Sequence, residues 1–570
     1  MNEIQKSELR QAFSSCGNAF RSVGLFSFFT NLLMLTGPLY MLQVYDRVLT
    51  SGSVPTLVAL SALVFLLYVF MGVLEFIRTR IMVRIGLRLD EQLGGKSFDA
   101  VLSHAIRRTP NVGAQPVRDL DVIRQFVSGP GPLALFDTPW MPIYLGVIFM
   151  LHPWMGYFAV VSAIILFGYA VLNEMITRKP TAKANETAMI SNSWTEESRR
   201  NAEVIGAMGM AGAIRARWQE LHGEAMNDST RANDRGGAIG SLAKVTRMML
   251  QSGMLGLGAY LAVLQEISPG TMIAGTIIMS RALSPIDQAI THWRGFLGAR
   301  KSYSRLNLVL DGAPKEEPPM DLPKPKGHIL VENLLISVPG QQKNLLQGIN
   351  FDILPGEALG ILGPSAAGKS TLARALVGIW PPSRGHVRLD GAALEHWNED
   401  QTGKYIGYLP QSVELFSATI EQNISRFQPD SDPEKVVEAA KMANVHEMIL
   451  QLPDGYGTQI GEGGASLSAG QRQRIGLARA LYGQPAFVVL DEPNSNLDAE
   501  GEMAVIKAIT AMKKNGTSVV VIAHRPSAIK VVDKIVFIKE GVQVAFGPRD
   551  EILSKILQKA PQKAAGIPDV

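Results

Sequence analysis

The sequence has 570 residues, a hydrophobic fraction of 46% and a mean hydropathy of +0.11, which exclude a small single-domain protein and are high for a soluble one. Its 55 Lys and Arg residues against 51 Asp and Glu residues give a net charge of only +4, which carries no nucleic-acid signature. The single cysteine, Cys16, excludes an internal disulfide and gives no cysteine-bound metal cluster.

Six apolar stretches in the first half each approach the ~20 residues that a bilayer-spanning helix needs. The second and fourth are the cleanest, whereas the third, fifth and sixth contain polar residues and are not established by hydropathy alone. The first is not followed by a small-residue cleavage site, so we expect a retained helix. The predicted transmembrane domain is residues 1–310, with spans at about 24–44, 55–77, 133–151, 154–175, 242–264 and 271–293.

Positive charges are concentrated in two long connections between the predicted spans. Nine Lys and Arg residues lie between the second and third spans and nine between the fourth and fifth, while the short opposite loops hold only Arg47. This positive-inside pattern argues against the alternative of buried core helices in a large soluble protein. It predicts a multi-pass membrane protein with both termini and the C-terminal domain in the cytoplasm.

One carboxylate, Asp137, falls inside the third predicted span. At the bilayer centre it would cost roughly 3 kcal/mol, so we expect it either to face a wet cavity or to lie near the interface as a helix cap. Because Pro139 follows closely and proline suits the first turn of a helix, the cap is the favoured prediction.

The long connections are rich in helix formers, which predicts that the spans continue as helices into the cytoplasm. Their tips, predicted at Ala114–Asp121 and Asn201–Ala211, are the candidate contacts with the C-terminal domain. Met208 and Met210 in the second tip suit an interface that re-forms repeatedly, although ordinary helix packing is nearly as good an explanation. A proline- and charge-rich linker is predicted at 311–326, before a second domain at 327–557 and a flexible tail at 558–570.

The second domain contains a phosphate-binding loop of the pattern G-x-x-x-x-G-K-[ST] between a strand-like run and a helical one. Its backbone N–H groups would wrap the phosphates, Lys369 would add positive charge, and the Ser370 hydroxyl would bind Mg²⁺. The predicted nucleotide-binding residues of this loop are Gly363, Pro364, Ser365, Ala366, Ala367, Gly368, Lys369, Ser370 and Thr371.

Three further apolar runs end in polar side chains. Asp491 and Glu492 follow one strand-like run, where Asp491 would bind the metal ion and Glu492 would polarise the attacking water. Gln411 and His524 each follow another run, so we expect them at the same edge of one sheet. Gln411 is predicted to contact the metal and nucleotide, and His524 the γ-phosphate.

A second anion-binding turn, "LSAGQ", opens an arginine-rich helix at Leu467. Together with the phosphate-binding loop, this motif resembles the nucleotide-binding domain of ABC transporters from about Gly327 to Leu553. The resemblance implies that Ser468, Ala469, Gly470 and Gln471 bind the γ-phosphate of ATP held by a second copy. Asp498, which ends "SNLD", would lie along the dimer seam. One such motif set in the chain implies a homodimer.

The chain departs from the family pattern at two places. Ala366 and Ala469 stand where many members have glycine, which stiffens each loop without removing its N–H groups. The aromatic residue that commonly stacks on adenine is not evident, since that neighbourhood offers Val338 and Pro339, and selectivity for ATP over GTP is left open.

The first half resembles the permease/ATPase subunit of bacterial type I secretion systems that export proteases and RTX proteins, in "PLYMLQVYDRVLTSGS", "LFDTPWMPIYLGVIFMLHPWMG" and "ESRRNAEVIGAMGM". This resemblance implies ATP-driven export of an unfolded protein with a C-terminal signal across the inner membrane. It also implies a periplasmic adaptor protein and an outer-membrane channel as partners. Two alternatives remain: an exporter of a lipid, glycan or small molecule, and a soluble ABC ATPase without transport.

Overall fold

A computed structural model describes residues 7–106, 115–311, 322–337, 344–461, 464, 466–495, 497–523 and 526–558. These residues form two compact units, an all-helical one up to residue 311 and an α/β one from residue 322. The predicted order of a helical domain followed by an α/β domain is therefore confirmed. Most of the predicted linker and all but the first residue of the predicted tail lie outside the described residues.

The helical unit is built around four helices of 43 to 53 residues. At 1.5 Å per residue the longest are about 80 Å long, well beyond the ~30 Å hydrocarbon core, so these helices do continue past any membrane. The helices are α1 (Glu8–Ser15), α2 (Gly17–Leu33), α3 (Thr36–Gln43), α4 (Leu49–Ser51), α5 (Val54–Ile106), α6 (Gln115–Ser128), α7 (Gly131–Asp137), α8 (Trp140–Leu151), α9 (Pro153–Arg200), α10 (Ala202–Ala207), α11 (Ala211–Val263) and α12 (Pro269–Asp311).

Three helical segments among the described residues are long and apolar enough to cross a membrane: Gly17–Ser51, α5 and α9. They contain the first, second and fourth predicted spans. The third predicted span corresponds to α7 and α8, which meet at a bend of 45°. The fifth and sixth predicted spans correspond to parts of α11 and α12, which contain more polar residues and are less apolar than these three segments.

The favoured prediction for Asp137 is wrong, because this residue ends α7 instead of capping the next helix. Its carboxylate is buried and accepts hydrogen bonds from Arg78 at 2.8 Å and from the Asn31 amide at 2.7 Å. The Tyr144 hydroxyl donates to the Asn31 carbonyl at 2.8 Å. Arg78, one of the nine charges predicted to flank the second span, is thus buried and joins α5 to α7 through Asp137, while Asn31 extends the network to α2 and α8.

The second predicted tip is a short helix, α10, between α9 and α11, and its two methionines are exposed on the described surface. Exposure disfavours the alternative explanation of ordinary core packing for Met208. Of the first predicted tip, Ala114 lies outside the described residues and the remainder begins α6.

The α/β unit places one large sheet between helices. Its elements are β1 (Ile329–Ser337), β2 (Asn344–Ile353), β3 (Ala358–Leu362), α13 (Lys369–Leu376), β4 (Arg384–Leu389), β5 (Ala392–Ala393), α14 (Glu399–Tyr405), β6 (Ile406–Leu409), α15 (Ile420–Ile424), α16 (Pro433–Met442), α17 (His446–Leu450), α18 (Ala469–Leu481), β7 (Phe487–Asp491), α19 (Ala499–Lys514), β8 (Ser518–Ile522), α20 (Pro526–Ile529), β9 (Lys534–Lys539), β10 (Val542–Pro548) and α21 (Arg549–Gln558).

The strands follow the order β5-β4-β1-β2-β10-β9-β3-β8-β7-β6. β3, β8, β7 and β6 are parallel neighbours, and both faces of β7 and β8 are buried, which explains their unbroken apolar sequences. Their carboxyl ends therefore meet at one edge of the sheet.

The buried Arg78–Asp137 pair generates a stability prediction. Replacing Arg78 by leucine leaves the Asp137 carboxylate buried without its counterion, so we expect a loss of about 3–5 kcal/mol in unfolding free energy. Asp137→Leu should cost less, because Glu75 still pairs with Arg78. The Arg78→Leu/Asp137→Leu double variant should lose much less than the sum of the two single losses. Thermal unfolding of detergent-solubilised protein followed by tryptophan fluorescence measures this cycle, and strictly additive losses would contradict the pairing.

Candidate nucleotide-binding site

The phosphate-binding loop connects β3 to α13, and two of its glycines are required by close contacts. A Cβ atom at Gly363 would lie 2.1 Å from the Ile538 carbonyl oxygen, and one at Gly368 would lie 2.7 Å from a Leu346 methyl carbon. Gly368 also has a φ of 97°, which favours glycine. The loop therefore runs against the sheet and delivers the N-terminus of α13 to the sheet edge, where helix N–H groups bind anions.

The middle of the loop is open to solvent. Pro364, Ser365 and Ala366 are exposed, whereas the Ala367 side chain is buried beneath them. Ala366 has a φ of 62°, a left-handed conformation that costs a non-glycine residue roughly 1 kcal/mol. The departure from glycine at this position thus adds backbone strain as well as stiffness.

Lys369 begins α13 and is 6% exposed. Its ammonium donates hydrogen bonds to the carbonyl oxygens of Gly363 at 2.8 Å and Pro364 at 2.9 Å. Burial lowers the pKa of Lys369, and the nearby carboxylates of Asp491 and Glu492 act in the opposite direction. The loop therefore holds a cation beside two acids, which is the charge arrangement that phosphate and metal binding need.

Asp491 ends β7 and is 2% exposed. Burial raises the pKa of its carboxyl, a hydrogen bond with Ser370 lowers it, and the charge of Glu492 raises it further. Its Oδ1 atom is buried and accepts no hydrogen bond from any described residue. A buried carboxylate oxygen without a partner, beside the Ser370 hydroxyl, fits a divalent cation such as Mg²⁺.

Glu492 follows directly in a left-handed conformation with a φ of 52°. Such strain costs about 1–3 kcal/mol and is held in place here by three backbone contacts. Its N–H donates to the Ile522 carbonyl at 3.0 Å, and its carbonyl accepts from the Ser495 N–H at 3.2 Å and from the Gln473 side chain at 3.0 Å. These contacts hold the acidic turn in place at the sheet edge.

The remaining sheet-edge residues occupy the ends of β6 and β8. Gln411 is exposed two residues after β6, whose last residue, Leu409, pairs with Leu490 of β7. It therefore shares the sheet edge with Asp491, as predicted. His524 follows the end of β8 but lies outside the described residues, as do Val338 and Pro339 from the expected adenine-stacking neighbourhood.

The signature turn forms the N-terminus of α18, and Ser468 caps it. The Ser468 hydroxyl accepts from the Gln471 N–H at 3.2 Å, while the Gln471 side chain accepts from the Ser468 N–H at 2.8 Å. Ser468 and Ala469 are exposed and Gly470 is half-buried. The capping box fixes the turn and leaves an exposed helix N-terminus that suits an anion.

Asp498 has a structural role in the described chain, since its carboxylate accepts from the Gly501 N–H at 2.8 Å and caps α19. Ser495, at the other end of "SNLD", donates its N–H to Glu492. Asn496 lies outside the described residues.

The sequence reasoning missed Gln473, which is 4% exposed in the second turn of α18. Its amide nitrogen lies 3.0 Å from the Glu492 carbonyl oxygen and 3.4 Å from the Ser495 hydroxyl. The signature helix and the strained acidic turn are therefore joined directly. A polar residue on the otherwise apolar buried face of this helix was the available signal.

The Gln473 contact predicts a kinetic effect. We expect Gln473→Leu to lower kcat for ATP hydrolysis about tenfold, because the Glu492 turn loses a donor, while the ATP concentration at half-saturation changes little. Gln451→Leu removes an exposed glutamine of the same unit and serves as the control. Equal kcat values for the two variants would contradict a positioning role for Gln473.

The buried Asp491 predicts a pH effect on metal affinity. Its raised pKa means that protons compete with Mg²⁺ at a higher pH than for an ordinary aspartate. The Mg²⁺ concentration at half-maximal hydrolysis should rise as the pH falls from about 8 to about 5, approaching tenfold per pH unit below the pKa. A requirement that stays constant over this range would show that Asp491 does not titrate in the site.

Comparison with known families supports the interpretation of both the helical and the α/β unit. A family model described as "ABC transporter" matches residues 346–495, and one described as "ABC transporter transmembrane region" matches residues 21–285. The solved structure of a bacterial Atm1-family ABC exporter with ATP bound has a TM-score of 0.81 to this chain, covering 95% of this chain and 97% of that one at 21% identity. The predicted fold class is confirmed.

Two curated relatives are similar over almost the whole chain. The type I secretion system ATP-binding protein PrsD of Rhizobium meliloti is 48% identical over 96% of this chain and 94% of its own length. The leukotoxin translocation ATP-binding protein LktB of Mannheimia haemolytica is 29% identical over 92% of this chain and 75% of its own. The chain therefore belongs to the ABC transporter family, among its type I secretion ATP-binding proteins.

Proposed function

We propose that the chain exports an unfolded protein across the inner membrane as a homodimer driven by ATP and Mg²⁺. The observation that carries this proposal is the meeting of the phosphate-binding loop, Asp491 and Glu492 at one sheet edge, with an exposed capped helix N-terminus at Ser468 in the same unit. In a head-to-tail dimer, Ser468, Ala469, Gly470 and Gln471 of each copy would bind the γ-phosphate held by the other.

The site residues then have distinct roles in hydrolysis. The loop N–H groups and Lys369 bind the β- and γ-phosphates, and Glu492 orients and polarises the attacking water. His524 contacts the γ-phosphate, and Asp498 lies near the seam between the copies. Ser370, Asp491 and Gln411 would hold Mg²⁺, which neutralises phosphate charge when bound.

In this proposal the transmembrane domain is residues 1–310 with six spans, and both termini and the ATPase lie in the cytoplasm. The exposed second tip, Asn201–Ala211, and the first, Ala114–Asp121, would pass the closing motion to the helices. ATP binds more tightly to the closed dimer, which supplies the differential affinity that a driven two-state cycle requires.

The relatives named for type I secretion and leukotoxin translocation support a protein substrate. We extend this to a substrate with a C-terminal signal, a periplasmic adaptor protein and an outer-membrane channel, which together would form a conduit out of the cell. Lipid, glycan or small-molecule export and a soluble ATPase remain outcomes of the test.

The Glu492→Gln variant tests the catalytic and transport assignments together. We expect hydrolysis to fall at least about 100-fold with ATP still bound, because the water loses its activating carboxylate. In cells, one or a few proteins should disappear from the culture medium and accumulate inside with intact C-termini. Glu500→Gln, on the exposed first turn of α19, is the matched control.

Different results separate the alternatives. Unchanged hydrolysis would overturn the role of Glu492. An unchanged set of secreted proteins with loss of a lipid, glycan or small molecule would overturn protein export, and extraction of the chain by carbonate without detergent would overturn the membrane topology.

A further inference from the structure

A cavity of about 460 Å³, with several polar and charged residues in a largely apolar lining, lies between α9, α11 and α12. Part of its volume arises because Gly236 and Gly240, one turn apart on α11, have no side chains. A Cβ atom at Gly240 would meet no heavy atom within 4 Å, so a larger residue would fit there without a clash. The polar lining includes Asn173, Thr177, Lys244, Arg247, Asp287 and Arg294.

The charges of this lining do not balance. Arg247 and Asp287 form an ion pair, and Arg294 donates to the neutral side chain of Asn233. Lys244 contacts no carboxylate among the described residues. Three cations line the cavity against one carboxylate, so Lys244 and Arg294 have no carboxylate partner among the described residues. Both side chains are exposed, so they are free to reach an anionic group at the mouth of the cavity.

The cavity also has a defined depth if the proposed membrane topology holds. Asn173 and Thr177 lie where the fourth span, 154–175, ends, and Lys244 and Arg247 lie where the fifth, 242–264, begins. Asp287 and Arg294 lie at the end of the sixth, 271–293. All three segments reach the cytoplasmic side, at the level of the inner-leaflet headgroups, which are rich in anionic phosphates.

Asn173 supplies a second, independent indication of a ligand. Its side chain lines the cavity and is 6% exposed, and its Oδ1 atom is buried without a hydrogen-bond donor among the described residues. Buried amides are normally satisfied, and this one needs a donor such as a hydroxyl group. A ligand that combines an anionic phosphate with a hydroxyl would satisfy the cations and Asn173 together.

We propose that this cavity binds the headgroup of an anionic phospholipid with free hydroxyls, such as phosphatidylglycerol, from the cytoplasmic leaflet. Its phosphate lies among Lys244, Arg247 and Arg294, and a glycerol hydroxyl donates to Asn173. The exported chain is a poorer occupant, because the excess charge is built into the fold and persists between transport cycles, when lipid is present and cargo is not.

The test uses the full-length chain purified in detergent. The protein is titrated with short-chain phosphatidylglycerol or phosphatidylcholine, and the number of bound lipids is counted by native mass spectrometry. We expect Lys244→Gln/Arg294→Gln to bind phosphatidylglycerol about 25-fold more weakly, taking about fivefold for each cation, with phosphatidylcholine binding unchanged. Arg178→Gln/Lys179→Gln removes two equally exposed cations near the same depth that do not line the cavity, and it should change binding less than about twofold. Lys244→Arg/Arg294→Lys keeps the charges and should retain the lipid.

Other results overturn the proposal. Displacement of phosphatidylglycerol by millimolar inorganic phosphate would indicate a free-anion site. Unchanged lipid binding by Lys244→Gln/Arg294→Gln with loss of secretion would indicate contacts with the exported chain. Asn173→Leu should weaken phosphatidylglycerol binding, and equal binding would exclude the hydroxyl contact. These readouts need no hydrolysis, and Glu492→Gln should bind the lipid as the wild type does, so failure here is distinct from failure of the proposed function.

Discussion

The parallel alignment of four neighbouring strands is the constraint on which the nucleotide-binding site depends. Ile361 of β3 and Asp491 of β7 both pair with Ile522 of the strand between them, β8. This register brings the phosphate-binding loop and the acidic turn to the same edge, although more than 100 residues separate them in the sequence. Slippage of β7 by one residue would turn Asp491 to the opposite face of the sheet.

The features that could be predicted from sequence are those encoded by local geometry. The loop from Gly363 to Ser370 needs glycines and a following helix, and Ser468 with Gln471 forms a capping box within four residues. An apolar run followed by a polar residue predicts the end of a buried strand at the sheet edge. This pattern identified Asp491 and Gln411. The pairing of Asp137 with Arg78 could not be predicted, because each residue looks like an isolated charge until the helices pack. The length of α11 and α12 was predictable from their helix-forming residues, but their polar residues left the fifth and sixth spans unestablished by hydropathy alone.

Buried charge is used differently in the two units. In the helical unit, Arg78 and Asp137 satisfy each other. In the α/β unit, Asp491 keeps an oxygen without a donor among the described residues, which a metal can use. The Arg426 guanidinium is satisfied by backbone carbonyl groups instead of a counterion. It donates to the carbonyls of Arg479 and Ala480 at the end of α18. It also donates to the carbonyl of Ile406 at the start of β6. Burial lowers the pKa of Arg426 to about 10, and these carbonyls tie the signature helix to the strand that leads to Gln411.

The Arg78–Asp137 pair also has a consequence for biosynthesis. The ribosome completes Arg78 59 residues before Asp137, which is about 3–12 s at ordinary elongation rates. During that interval the second hydrophobic helix must enter the membrane without its eventual counterion. Glu75, one turn earlier on the same helix and 2.8 Å from Arg78, can neutralise the guanidinium meanwhile. Glu75 therefore gives Arg78 a counter-charge within its own helix until Asp137 has been synthesised.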